Sequence, residues 1–205
     1  MKRFFVIFIF LTSCITMNVF EGPDTTKKGE ASFGIGVSQM AFLDEENKTE
    51  FLPIPFPYFK GRYGIANNID IGFRYVGIMG FGIDPKFKFL DKELKASLSF
   101  PFILATWPGL PVWYTFEPTL ILGTDVIYFG SKFSYFSIGF EWDDDSVGIY
   151  GVFPSLFLGF TLGKKLRLCP EVSFCLPAKI RIGKEEKELL WRPAFSYGIG
   201  ILYMP

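Results

Sequence analysis

The 205 residues carry 21 basic and 21 acidic side chains, so no basic footprint marks a nucleic-acid partner. Apolar residues make up 49% and aromatics 19%, a load that one soluble core would struggle to hide, yet no run reaches the ~18 apolar residues of a spanning helix. Histidine is absent, which removes Ser-His-Asp and Cys-His catalysis and any imidazole metal site.

Lys2 and Arg3 open the chain, an apolar run follows over residues 4–11, and Leu11-Thr12-Ser13-Cys14 closes it. A basic start, an apolar stretch and small residues before a cleavage point read as a targeting signal. The last four residues resemble the bacterial lipobox, whose cysteine is lipidated and becomes the mature N-terminus. The resemblance implies a signal peptide over 1–13 and lipidation at Cys14. Because Ile15 is not aspartate, it also implies an outer-membrane address. An ordinary signal peptide, or an uncleaved anchor over residues 4–20, is the alternative. Residues 15–30 (ITMNVFEGPDTTKKGE) are mostly polar, so 14–30 reads as a lipid-anchored tether and 31–205 as the folded domain.

From Ala31 onward apolar and polar residues alternate between turn signals, and no helical period is sustained beyond the short candidate 184–190. Ten strands are predicted, at about 31–42, 52–65, 69–78, 82–90, 93–104, 112–122, 125–136, 147–162, 166–177 and 190–203, with eight as the alternative count. Successive strand side chains point to opposite faces. In the third segment Ile69, Ile71, Phe73 and Tyr75 oppose Asp70, Gly72 and Arg74. In the fourth, Ile83, Pro85, Phe87 and Phe89 oppose Asp84, Lys86 and Lys88. The second segment shifts phase near Pro55 and Pro57, where a bulge is expected.

The polar face mixes charge with glycine, which weakens a strand and adds no solubility, so it suits a narrow lumen better than a solvated surface. The fold class is therefore an all-β, antiparallel up-and-down transmembrane β-barrel with its apolar face outward. A soluble lipocalin-like lipid-binding lipoprotein, with the faces exchanged, is the alternative. Connections after segments two, four, six and eight are tight, at 66–68, 91–92, 123–124 and 163–165. Most others are longer, at 43–50, 105–111, 137–146 and 178–190. Short turns face the periplasm in membrane barrels, which puts both termini there.

The last strand, Ser196-Tyr197-Gly198-Ile199-Gly200-Ile201-Leu202-Tyr203, resembles the C-terminal assembly signal of small bacterial outer-membrane barrels, carried by Ser196, Gly198, Ile201 and Tyr203. It departs from that pattern in ending on Met204-Pro205 rather than on an aromatic. YGIANNIDIGFRY (63–75) and LRLCPEVSF (166–174) also look like hairpins of that class. The resemblance covers roughly 31–205. It implies insertion by the barrel-assembly machinery, with membrane lipid as the surroundings, and it implies no substrate.

The inward face holds Lys60, Arg62, Arg74, Lys86, Lys88, Lys95, Lys132, Arg167 and Arg192 against Asp70, Asp84, Glu117 and Glu171. Nine cations against four anions describe a polar plug of ion pairs or a weakly anion-favouring passage. A carboxylate pair among the four is the only acid–base candidate, and no enzyme or cofactor is expected. Cys169 and Cys175, six residues apart on one strand, are too far apart to bridge. Asp143-Asp144-Asp145 lacks the spacing of a calcium loop. Opposed charges set the expected register of segments three and four. With the hairpin centred on Met79, Arg74 faces Asp84, Asp70 faces Lys88, Ile71 faces Phe87 and Ile69 faces Phe89. Arg62, diagonal to Asp70, completes a cluster of Arg62, Asp70 and Lys88.

Overall fold

The computed structural model describes residues 18–43, 49–51, 56–76, 80–105, 113–142, 145–176, 178–182, 187–191 and 193–205. Ten strands emerge, several of them in two pieces. They are β1 (Ala31–Leu43), β2 (Thr49–Phe51 and Phe56–Ala66), β3 (Ile69–Val76), β4 (Gly80–Asp91) and β5 (Lys95–Ser99 and Phe102–Ala105). The others are β6 (Trp113–Phe116 and Thr119–Gly123), β7 (Ile127–Trp142), β8 (Asp145–Phe160), β9 (Leu166–Cys175 and Ala178–Ile182) and β10 (Lys187–Trp191 and Ala194–Tyr203). Each strand pairs antiparallel with the next. The sheet closes because β1 pairs β10 from Phe33↔Tyr203 to Phe42↔Ala194. The fold is an antiparallel, closed, ten-stranded barrel, as the alternation and the turn spacing require.

The faces fall as read. Phe33, Ile35 and Val37 of β1, Phe73 of β3, and Phe81, Ile83, Phe87 and Phe89 of β4 point out and are exposed. Lys60, Arg62, Asp70, Arg74, Asp84, Lys86, Lys132 and Glu171 point in and are buried. An apolar surface wrapped round a charged interior is the inverse of a soluble lipid-binding barrel, which excludes that alternative. The start of β1, the end of β10 and the short turns share one rim, where Phe33 pairs Tyr203 and Met204 N–H donates to Lys165 O (2.7 Å). Asn67-Asn68 join β2 to β3, and Gly163, at φ 107°, turns the chain between β8 and β9.

Prolines break strands without opening the wall. Proline removes a donor but keeps its carbonyl. Phe100 N–H donates to Pro85 O (2.9 Å), Glu117 N–H to Pro101 O (2.9 Å), Phe133 N–H to Pro118 O (3.0 Å) and Leu176 N–H to Pro154 O (2.9 Å). Pro57 pairs in register with Val37, and Pro55 lies outside the described residues. A register irregularity does fall beside them: Phe51 pairs Ala41 and Phe56 pairs Ser38, so β2 carries two more residues than β1 between these pairs. Tyr58, an apolar ring that points inward and is buried, adds to the break in apolar phase, and a second irregularity of β2 lies between Gly64 and Ala66.

Two further expectations are corrected. The stretches 137–146 and 178–190 are less loop than hairpin. The β7–β8 ladder continues to Trp142↔Asp145, and Ala178–Ile182 pairs with Lys187–Trp191, a strand that overlaps the short helical candidate 184–190. The β3–β4 register also differs by two residues. Val76↔Gly80 centres the hairpin on position 78, so Asp70 faces Lys86, Gly72 faces Asp84, Arg74 faces Gly82, Ile69 faces Phe87 and Ile71 faces Pro85. The reason is reach. Arginine side chains bond carboxylates one inward position along the neighbouring strand, so directly opposed charges are not what fixes the register.

Candidate functional site

The inward charges come together in the lower half of the lumen, nearer the short turns. Asp84 sits between two guanidinium groups, Arg62 Nη1 at 2.5 Å and Arg74 Nε at 2.7 Å, and also accepts from Ser99. Arg62 belongs to β2 and Asp84 to β4, so Arg62 must reach across β3. Gly72 lies between them, opposite both (Arg62↔Gly72 and Gly72↔Asp84). A Cβ at Gly72 would stand 3.0 Å from Arg62 Nη1, so the glycine leaves the path open. Arg62 Nε also donates to Asp70 Oδ1 at 2.7 Å, the diagonal pair expected from the sequence. Lys88 does not join that cluster: it bonds Asp91 at 2.7 Å and lies 3.9 Å from Asp24.

The chain's own N-terminal segment lies among these inward charges. The tether reading of residues 14–30 is corrected over its described part, 18–30, which doubles back from β1 into the barrel. Asn18, Val19, Phe20, Glu21, Thr25 and Thr26 are all buried. The segment touches the ladder near the rim, through Gly29 N–H to Gly64 O (2.9 Å) and Gly64 N–H to Glu30 O (3.0 Å). Thr26 N–H donates to Asp70 Oδ2 at 2.7 Å. Lys86 Nζ donates to Gly22 O at 2.7 Å and Asp24 O at 2.8 Å.

Deeper in, Glu21 contacts Lys60 and lies 3.4 Å from Arg62 Nη1, 3.5 Å from Lys86 Nζ and 4.0 Å from Arg74 Nη2. The cation excess of the wall is thus answered by an acid from outside it. At the rim Asp24 does the same for Lys95 (2.9 Å) and Arg167 (3.5 Å). Burial works against the charge on Asp24, but the hydrogen bond and charge of Lys95 and the charges of Arg167 and Lys86 outweigh it and hold its carboxyl below the usual range.

The innermost described residues are gripped by β9 and β10. Glu171 accepts two successive backbone N–H groups, Val19 at 2.6 Å and Phe20 at 2.7 Å, and the Tyr128 hydroxyl at 2.8 Å. Two adjacent amides converging on one carboxylate form an anion nest. Phe20 has φ 50°, a left-handed backbone that costs a non-glycine residue about 1–3 kcal/mol and persists only where neighbours enforce it. The enforcement is visible. Its ring fills a notch left by Gly36, Gly198 and Gly200, where an added Cβ would come within 2.9, 2.6 and 2.8 Å of the Phe20 side chain. Asn18 Nδ2 donates to Glu171 O (3.3 Å), and the Asn18 side chain also contacts Ser196 Oγ.

Glu117, at the break between the two pieces of β6, and Lys132 of β7 sit 3.6 Å apart, away from the segment. Arg167 is near the rim and donates to Lys164 O at 2.9 Å. Cys169 and Cys175 are buried and free. Of the C-terminal strand's expected assembly residues, Ser196 faces in, Gly198 is half-buried, and Ile201 and Tyr203 face out. Cys14, Arg192, Asp143 and Asp144 lie outside the described residues. Among the described residues no cluster of three metal-ligating side chains occurs. Asp70, Asp84 and Glu171 are hydrogen-bonded, whereas Glu117 Oε2 and Lys132 Nζ are buried 3.6 Å apart with no hydrogen bond to either atom among the described residues. Sequence reasoning missed Asn18, Glu21 and Asp24, for which the surplus of inward cations was the available signal.

No family model matches the chain, and no curated protein matches it. Among solved structures it is similar to Ail, the attachment invasion locus protein of Yersinia pestis, at 12% identity over 86% of this chain and 98% of that one, TM-score 0.38. It is also similar to the outer membrane protease OmpT of Escherichia coli (8%, 84% and 95%, TM-score 0.39) and to the outer membrane protein Omp33 of Acinetobacter baumannii (9%, 88% and 100%, TM-score 0.33). At such identities and scores the likeness is one of fold only, and the closed ladder already carries it.

Proposed function

We propose that the chain is a bacterial outer-membrane barrel acting as a structural or surface protein, its lumen closed at rest by its own N-terminal segment, and not an enzyme. One observation carries this reading: apart from Asp84 and the Glu117–Lys132 pair, the inward charged groups of the described wall that an open pore or a catalytic site would offer to a solute contact residues 18–26. The outward apolar face supports the membrane location. Short turns lie on the periplasmic side, and the extended β7–β8 and β9–β10 hairpins face outward. Purified protein should show heat-modifiable gel mobility and almost no ion conductance in planar bilayers. Steady large conductance from the wild type would contradict the closed lumen. A cysteine at Lys92 should resist an impermeant thiol reagent on intact cells, while one at Lys184 should react; the reverse pattern would invert the orientation.

The lipid expected on Cys14 fits this reading in one form only. Asn18 is held at the level of Ser196, seven residues along β10 from the rim residue Tyr203, or about 18 Å up a tilted strand. Cys14 precedes Asn18 by four residues, which reach about 14 Å fully extended. A lipid in the leaflet at the short-turn rim therefore requires the segment to leave the lumen. Seating and anchoring in that leaflet are alternatives, and the seated form belongs to chains without that anchor.

A further inference from the structure

We propose that the N-terminal segment is a removable plug over an anion-selective constriction built from Lys60, Arg62, Arg74 and Lys86, where Glu21 occupies the place of a small oxyanion or carboxylate. This rests on the closed-lumen reading and goes beyond it.

Four cations from three adjacent strands converge on one carboxylate that belongs to none of those strands, at contact distance for Lys60 and at 3.4, 3.5 and 4.0 Å for Arg62, Lys86 and Arg74. They differ in what else holds them. Arg62 and Arg74 are also bound by wall carboxylates, Arg62 by Asp70 and Asp84 and Arg74 by Asp84. The two lysines have no such support among the described residues. Lys60 Nζ reaches only Val19 O, Phe20 O and Glu21, and Lys86 Nζ only Gly22 O, Asp24 O and Glu21. Withdrawing the segment leaves Lys60 with no wall partner and Lys86 with only Asp70 opposite it, a carboxylate that Arg62 already binds, and a buried cation short of an anion is costly. A mobile anion entering from the rim satisfies them.

The remaining wall has the same sign. Lys88, Lys95, Arg167 and Lys132 add to the four cations, against Asp70, Asp84, Glu117 and Glu171. The plug is separable because side chains hold it and almost no ladder does, so it can leave without opening the barrel wall. Its strand-like contact with the wall is a single bridge, Lys28↔Gly64, and its wedge is one strained phenylalanine in a glycine notch. Gly200 is the selective lever. The three atoms nearest to a Cβ there, at 2.8, 3.0 and 3.3 Å, all belong to Phe20, so a larger residue collides with the plug and not with the barrel.

The test is planar-bilayer recording of the full chain in a KCl gradient, comparing wild type, Gly200→Val and Phe20→Ala, with sulfate added as the probe anion. Heat-modifiable mobility reports that each variant is folded. Phe20→Ala alters only the plug and stands in if Gly200→Val does not fold. The expected result is a nearly silent wild type and two conducting variants whose reversal potential lies toward that of chloride. Millimolar sulfate should lower their chloride current several-fold. A silent wild type with variants that stay closed, prefer potassium or ignore sulfate overturns this inference while leaving the closed lumen intact. A wild type that conducts as freely as the variants overturns the closed-lumen reading itself.

Discussion

Asp70 binds Arg62 through its side chain and Thr26 through its backbone amide, so it ties wall to plug with one carboxylate. Removing one partner of a buried ion pair strands the other, at about 3–5 kcal/mol. Arg62 keeps Asp84 and Glu21, so Asp70→Ala should cost less than that, about 1–3 kcal/mol in unfolding free energy, against less than about 0.5 kcal/mol for an exposed change such as Lys164→Ala. Equal denaturation midpoints for the two variants would show that the pair is not a buried one. At Glu171 the logic is chemical. Glutamine has one acceptor oxygen, so it presents its amide donors to an N–H that needs an acceptor. Glu171→Gln should therefore loosen Val19 and Phe20, read as faster exchange of those two amides with the barrel intact.

Asp24 gives a dependence on pH whose sign is fixed. Its folded pKa lies below the unfolded value of ~3.9, so its contribution is complete above that value and is lost as pH falls through the folded one. The difference in thermal midpoint between wild type and Asp24→Asn should be flat above pH 5 and shrink below about pH 4. A difference undiminished at pH 3 would contradict the assignment. Which residues face inward was legible in the sequence, because strand parity alone decides it. Of their partners only the Arg62–Asp70 diagonal was legible, because Arg74 also acts along a diagonal and Arg62 reaches Asp84 through the opening that Gly72 provides.

Among the elements, β3 and β4 show most clearly what pattern reading settles. Alternation excluded a one-residue slip, and the structure obeys it. It left slips of two residues open, and opposed charge chose the wrong one. The outer ends of β7 and β9 were read as loops because 137–146 and 178–190 are polar, yet a hairpin that continues past the membrane has no apolar face to display. The N-terminal segment was read as a tether for a related reason: ten or so polar residues look alike whether solvated or seated in a polar lumen. Exclusivity with the lipid gives this element its own check. In purified protein sorted by whether position 18 is locked to position 196, the locked fraction should carry no diacylglyceryl group on Cys14. Lipidated Cys14 in the locked fraction would break the reach argument.

For the molecule as a whole, the barrel was readable because each strand independently carries the period-two signal and short turns alternate with longer connections. Its contents were readable only as an imbalance. The inward wall has more cations than carboxylates, and Glu21 and Asp24 lie next to it in sequence but outside every strand. A closed lumen and its removable plug both require residues 18–26 to occupy the interior of the inserted barrel. The side chains of Asn18 and Ser196 touch across a sequence gap of 178 residues, so Asn18→Cys paired with Ser196→Cys, in a background lacking Cys14, Cys169 and Cys175, places two thiols within bonding reach only if the segment is seated. Mild oxidation of the membrane-inserted protein should close this bridge in most molecules. If the two thiols stay free and both react with a small maleimide, the segment lies outside the barrel.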